Sequence, residues 1–238
     1  MKVALTSDTH GYLPEIPSEA VAVLHAGDIG VDRDPITWFR EKFYPWAREI
    51  GVPIYATFGN HDRIGQRGLV PGGCPPNLHL VVDGFRDVFG VPVWLSPWSL
   101  RFFDWAYMDN ESGLACRYAK IPETIQVIVA HGPPFRAGDD TGKAFVGSES
   151  LAQRIRALPD LRLVVTGHIH EAFGLHECYE VPVWNVSYVD QYYQPAHPPV
   201  LIDWPVVKLK DCGVPSNGKT SGFDPENGGP TPPAAAKS

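Results

Sequence analysis

Five short runs rich in Val, Ile and Leu recur along the chain, at residues 3–6, 20–26, 53–58, 125–130 and 161–166, and each breaks off in a polar cluster. Continuous apolar runs of this length predict strands buried on both faces. Between them, residues 36–50 and 148–158 space their apolar positions at helical intervals, with Pro45 breaking or kinking the first segment. The stretch LHLVV-DG-FRDVF, starting at Leu78, has a two-residue Asp-Gly link that predicts a hairpin, with the strand VPVWL following it. VPVWNVSY at 181–188 and PPVLIDWP at 198–205 add further strands. Alternating strands and helices joined to hairpin-like pieces predict a mixed, two-sheet α/β architecture. From Gly213 onward the chain is poor in large apolar residues and rich in Pro, Gly and Ser, which predicts a disordered tail at 213–238 after one domain at 1–212. The sequence holds no internal repeat.

Composition narrows the classes. With 238 residues, 44% hydrophobic and 20% charged, the chain suits a single domain with one substantial core. A formal net charge of -7 argues against a broad nucleic-acid footprint, which clusters Lys and Arg. Cys74, Cys116, Cys178 and Cys212 are widely spaced and form no C-x-x-C pair, so neither a thiolate zinc site nor a disulfide framework is indicated. A reduced, cytoplasmic setting is the expectation. The opening MKVALTSDTH lacks a signal-peptide layout, and no stretch approaches the ~18 consecutive apolar residues of a membrane span.

The polar clusters carry the chemistry. In order they are Asp8-Thr9-His10, Gly27-Asp28, Gly59-Asn60-His61-Asp62, Ala130-His131-Gly132 and Gly167-His168-Ile169-His170. Ligands of open α/β sheets bind outside the carboxyl ends of strands, so these five ends predict one shared crevice. Carboxylates, an amide carbonyl and imidazoles without thiolate suit divalent Mn²⁺, Fe²⁺ or Zn²⁺. Seven donors, Asp8, His10, Asp28, Asn60, His131, His168 and His170, exceed the needs of one ion. Two ions roughly 3.5–4 Å apart would use them all and clamp a phosphoryl group. On this reading Asn60 ligates a metal and His61 faces the substrate.

The blocks D-x-H, GD, GNHD, H and GH-x-H, in that order, resemble the calcineurin-like metallophosphoesterase superfamily over about residues 1–204. HGPP at 131–134, SPW at 96–98, FFDWAY at 102–107 and PVWNVS at 182–187 are similar to its class III phosphodiesterase-like branch, which includes the vertebrate metallophosphoesterase-domain proteins. The resemblance implies a four-layer α/β/β/α sandwich with two mixed β-sheets and a dinuclear centre, Mn²⁺ foremost, with iron or zinc as alternatives. Asp8, His10 and His170 would hold one metal, Asn60, His131 and His168 the other, and Asp28 would bridge. It implies in-line attack of a metal-bridging hydroxide on a small-molecule or nucleotide phosphoester, chiefly a diester. His61 would assist the leaving group while Asp62 orients its ring.

Blander readings cover the rest. His25, His79, His176 and His197 lie outside the blocks and are expected to be structural. The stretch GDDTGKA at 138–144 fails the P-loop pattern in glycine spacing and in the residue after Lys143. Asp32-Arg33 misses the Ser/Thr protein-phosphatase signature by one residue, and Asp34 replaces its glycine. Trp98, Phe102, Phe103, Trp105 and Tyr107 are ordinarily packing residues, with the hypothesis that part of the group, Trp98 included, walls the cleft. Arg63 and Arg67 are solvated, or neutralise a phosphate. A Ser/Thr-phosphatase-like phosphomonoesterase, a nuclease of the same superfamily and a non-catalytic scaffold are the rival functions.

Overall fold

β1 (Lys2–Thr6) and β2 (Ala20–His25) lie side by side and parallel. Val3, Leu5, Ala22 and Leu24 enter one core, while Ala4 and Val23 enter another. That period-two division is what a strand covered on both faces requires. A helical segment follows: α1 (Pro35–Trp38), a π-helical turn at Phe39–Phe43, and α2 (Tyr44–Ile50). Pro45 does not end it. Lacking an N–H, Pro45 cannot donate to the carbonyl four residues back, and the Tyr44 N–H reaches Phe39 O five residues back, so a π-turn absorbs the defect.

β3 (Ile54–Ala56), α3 (Arg63–Gln66) and β4 (Leu78–Leu80) follow, both strands adding in parallel to the first sheet. The Asp83-Gly84 link is not the predicted hairpin turn. β4 belongs to the first sheet, whereas β5 (Gly84–Val88) pairs antiparallel with β6 (Val91–Ser96) in a second one. The hairpin turns one step later, at Phe89-Gly90, with φ +50° and +81°, the paired positive values that suit strand twist. Asp83 serves the crossing between sheets: its carboxylate accepts from Ser96 Oγ at 2.8 Å and Trp98 Nε1 at 2.7 Å.

β7 (Ser99–Leu100) and β8 (Met108–Asp109) form a small ribbon. α4 (Glu111–Tyr118) starts at an Asn110 cap, β9 (Val127–Ala130) follows, and α5 (Glu149–Ala157) starts at a Ser148 cap. β10 (Leu163–Thr166), β11 (Gly174–Cys178), β12 (Val181–Asn185) and β13 (Val200–Asp203) complete the described chain.

The first sheet has the order β13-β1-β2-β3-β4 and the second β11-β12-β10-β9-β6-β5. Each is parallel apart from antiparallel edges. Val3, Leu5 and Leu24 meet Val93, Leu95, Val127, Val129 and Val165 between the sheets. Phe39, Phe43 and Tyr44 cover the outer face of the first sheet, and Leu114, Tyr118, Leu151 and Ile155 that of the second. Burying each such aliphatic side chain contributes about 1.5–3 kcal/mol relative to exposure, so the strand ends sit on a tightly held frame. The result is the expected four-layer α/β/β/α sandwich with two mixed β-sheets. The structure is a computed structural model that describes residues 1–206; the expected boundary at 212 and the expected tail lie outside the described residues. No helix among them is long and apolar enough to cross a membrane.

Candidate metal centre

Backbone hydrogen bonds gather the strand ends. Asp8 N donates to Gly27 O at 2.8 Å, His10 N to Asp28 O at 3.0 Å and Gly167 N to His131 O at 3.1 Å, so the loops after β1 and β2, and those after β9 and β10, are stitched in pairs. Asp8, His10, Asp28 and His168 all have left-handed backbones, with φ of +49°, +42°, +52° and +71°. Such conformations are unfavourable outside glycine and persist where surrounding contacts overdetermine them. Gly59 answers to the same crowding: a Cβ there would lie 2.6 Å from His131 Cε1 and would collide with the Asp28 carboxylate.

The predicted donors come together in two overlapping sets. Asp8, His10 and His170 form one group, and Asp8, Asp28 and His131 another, with ligand atoms within 4.8 Å of one another in each. Asn60 joins the second set, its Oδ1 2.8 Å from His131 Nε2. Asp28 Oδ2 faces both halves, 3.7 Å from His10 Nε2 and 3.4 Å from His131 Nε2. The His168 ring lies 4.9 Å from that of His131, although its nitrogens fall outside these groups. His61 forms a third group with His10 and Asp28.

Two imidazoles have their tautomers set by a carbonyl. His131 Nδ1 is 3.0 Å from Ala26 O and His170 Nδ1 is 3.0 Å from Asp190 O. A carbonyl can only accept, so each Nδ1 donates and each Nε2 turns inward, the arrangement that orients metal-binding histidines. His170 Nε2 lies 3.3 Å from His10 Nε2 and 3.4 Å from Asp8 Oδ1.

The charges show what this crowding needs. Burial pushes His10 down to about 3 and His131 down to about 4, and holds His168 well below the usual imidazole range; all three are neutral at pH 7. Burial, then the charges of Asp8 and Asp62, raises Asp28 well above the ordinary carboxylate range. Burial lowers His170, but the Asp8 hydrogen bond and charge outweigh it and the net shift is upward. Neutral imidazole nitrogens packed against mutually crowding carboxylates fit a divalent cation, which takes unprotonated nitrogens and would offset the acids' charge.

The structure moves two expected contacts. Asp62 does not face the His61 ring: its carboxylate accepts from Gly59 N at 2.9 Å, Ile29 N at 3.1 Å and Gly30 N at 3.1 Å. Burial still pushes it up to about 6 against those amides. The acid beside the ring is Asp32, whose Oδ1 lies 3.7 Å from His61 Nδ1. Its position in the sequence was visible, but a loop residue with no fixed spacing gave no signal of contact. Trp98 does not wall the cleft either. It is engaged by Asp83 and by the Arg117 guanidinium at 3.2 Å, and packs edge-on against Tyr107. The cleft-side rings of that segment are Trp105, 4.5 Å from His61, and Phe102, 5.8 Å from His168. Arg63 is not simply solvated: it donates to Asp104 O and lies over Trp105. His25 is structural as expected, accepting from Gly27 N through Nδ1 and bonded to Thr9 Oγ1 through Nε2.

Asn185 and Ser187 escaped a chemical reading, although both lie in the PVWNVS stretch. Ser187 Oγ is 3.0 Å from Asp8 Oδ2 and 2.9 Å from Asn185 Oδ1. The Asn185 amide donates to Ile169 O at 2.8 Å and Gly167 O at 3.2 Å, the residues flanking His168. Tyr193, its ring 4.8 Å from that of His10, lies outside every motif.

A two-sheet sandwich with acids and imidazoles converging at one set of strand ends defines the metallophosphoesterase fold. Residues 1–172 match the family described as Calcineurin-like phosphoesterase, and the chain belongs to that family. Metallophosphoesterase domain-containing protein 1 of Homo sapiens is 32% identical over 132 residues, which cover 54% of this chain and 40% of the human protein. UPF0046 protein T07D4.2 of Caenorhabditis elegans is 25% identical over 133 residues, covering 55% of this chain and 33% of its own. These relatives bear out the branch that the motifs resemble, and the match spans less than half of either. Among solved structures, Haemophilus influenzae NAD nucleotidase is 15% identical with a TM-score of 0.38, over 85% of this chain and 44% of that one.

Proposed function

We propose that the protein is a dinuclear metal-dependent phosphodiesterase. The observation that carries this reading is the pair of donor groups sharing Asp8, each with its ligand atoms within 4.8 Å, completed by Asn60 and faced from both sides by Asp28. Asp8, His10 and His170 would hold one divalent ion, and Asn60, His131 and His168 the other, with Asp28 between. Mn²⁺ is the ion we favour, since oxygen and imidazole donors without thiolate suit it. When bound, two such cations polarise the phosphoryl oxygens and acidify the attacking water.

The chain's own groups do the rest. His61 N donates to Asp28 Oδ1 at 2.8 Å, tying the loop that carries the proton donor to the bridging carboxylate. Burial disfavours the protonated His61 ring and Asp32 beside Nδ1 opposes that shift; the protonated form would pass a proton to the leaving oxygen as the ester P–O bond breaks and water forms the new one. Asp62 holds the Gly59 and Ile29 amides and so fixes the GNHD turn. The preference for diesters is supported by the aromatic rings Phe102, Trp105 and Tyr193 around the histidines, surfaces that suit a second organic substituent on phosphorus.

The test is a panel of aryl mono- and diesters given to metal-stripped and Mn²⁺-loaded protein. We expect turnover only after loading and a higher kcat/KM for diesters. No turnover with any ester, despite metal uptake, would assign the chain to the scaffold class; cleavage confined to DNA or RNA would assign it to the nucleases.

A further inference from the structure

We propose that Tyr193 and Trp105 are specificity residues that receive a planar aromatic ring, such as a nucleobase, carried on the phosphoryl group; the proposal rests on the phosphoesterase reading above. Tyr193 stands edge-on to three imidazoles, with ring centroids 4.8 Å from His10, 5.1 Å from His170 and 6.1 Å from His61. Trp105 lies 4.5 Å from His61. His61 is therefore the shared neighbour of two rings, at the edge of the region where the phosphoryl group would sit. Tyr193 stays 46% exposed and Trp105 is half-buried, so aromatic surface stands open beside the most polar part of the molecule.

These rings are held, not left to drift. Tyr193 adopts φ +60°, unfavourable for a bulky residue. The turn that imposes it is built by Asp190, whose Oδ1 accepts from Tyr192 N at 2.8 Å and Gln194 N at 2.9 Å. Tyr193 N donates back to Asp190 O at 2.9 Å. The same Asp190 carbonyl accepts from His170 Nδ1, so one residue aims both a candidate metal ligand and the ring above it. Trp105 is braced by the Arg63 guanidinium 5.6 Å from its centroid. Preorganised aromatic faces favour flat, polarisable ligands, which stack without fixing many rotatable bonds, over sugars or alkyl groups of similar size.

The test is isothermal titration calorimetry of Mn²⁺-loaded protein with AMP, ribose 5-phosphate and inorganic phosphate. The first two ligands share a phosphorylated ribose and differ in the base. Wild type should bind AMP roughly tenfold or more tightly than ribose 5-phosphate, the scale of one base–aromatic stack. Tyr193→Ala and Trp105→Ala should each bring that ratio toward one, and Tyr193→Phe should keep it, because the ring and not the hydroxyl supplies the contact. Equal affinities in wild type, or a ratio that survives Tyr193→Ala, would overturn the proposal while leaving metal uptake and phosphate binding intact. Failure of all three ligands, inorganic phosphate included, would overturn it together with the phosphoesterase reading.

Discussion

The floor and the rim of the candidate site are built in opposite ways. On the floor, Asp8, Asp28, Asn60 and His131 are buried, and each makes contacts fixed by a neighbouring strand end. Asp8 alone receives the His168 amide at 3.0 Å and faces Ser187 Oγ. On the rim, His61, Asp32, Trp105 and Tyr193 meet one another through ring edges and one long ion-pair distance, and the Asp32 side chain is 71% exposed. The difference teaches that position is enforced where charge must be held. At the rim the side chains are placed mainly by ring contacts and by the turn around Asp190.

The comparison breaks most directly at the floor. Replacing Asp28 or Asn60 with Ala should lower metal-dependent kcat/KM by about 10³-fold or more, since a cation-holding group is lost from a buried site. Steady-state assays on an aryl diester check this, and wild-type-like turnover in either variant would show that the floor is not the reacting centre. One layer deeper, Leu5→Ala opens a hole between the sheets and should cost ~2–5 kcal/mol of stability. Thermal melts read that loss, and an unchanged Tm would mean the inter-sheet core does not support the floor as described.

A milder break is Ser187→Ala, which removes the hydroxyl beside Asp8 Oδ2. Outer contacts of this kind typically matter by about 10–100-fold in metal affinity, and a Mn²⁺ titration followed by calorimetry measures it; unchanged affinity would make Ser187 a bystander. The smallest effect belongs to the rim. Burial lowers the His61 pKa, and the Asp32 charge opposes that shift. Asp32→Asn removes the opposition, so the protonated ring is lost at lower pH. The alkaline limb of kcat/KM against pH should move to lower pH, and only slightly, because the exposed partner is screened by solvent. A limb that stays in place or moves to higher pH would take Asp32 out of the account.

The floor was far more legible in the sequence than the rim. Apolar runs such as VIVA before His131 and LVVT before Gly167 announce buried strands, and a polar cluster at a buried strand end has few structural explanations. Rim contacts carry no such pattern: Asp32, Trp105 and Tyr193 come from three loops whose approach depends on the folded chain. Three elements of the fold were misread or missed, each for its own reason. Asp83-Gly84 has hairpin composition, yet β4 pairs with β3 in the other sheet, and local turn chemistry lost to the long-range pairing. α4 offered only Leu114 and Tyr118 as buried positions, too few to mark a helical stripe. The Tyr179-Glu180 turn between β11 and β12 uses φ of +50° and +64° without glycine, so no turn residue pointed to it.

The central claim is that seven side chains from five strand ends grip two cations. Its most direct measurement is the metal content of purified protein after Mn²⁺ loading and removal of excess ion, by inductively coupled plasma mass spectrometry. The account predicts about two ions per chain in wild type and a clear loss in Asp28→Ala. Protein that retains no metal, or an Asp28→Ala variant that retains as much as wild type, would contradict it.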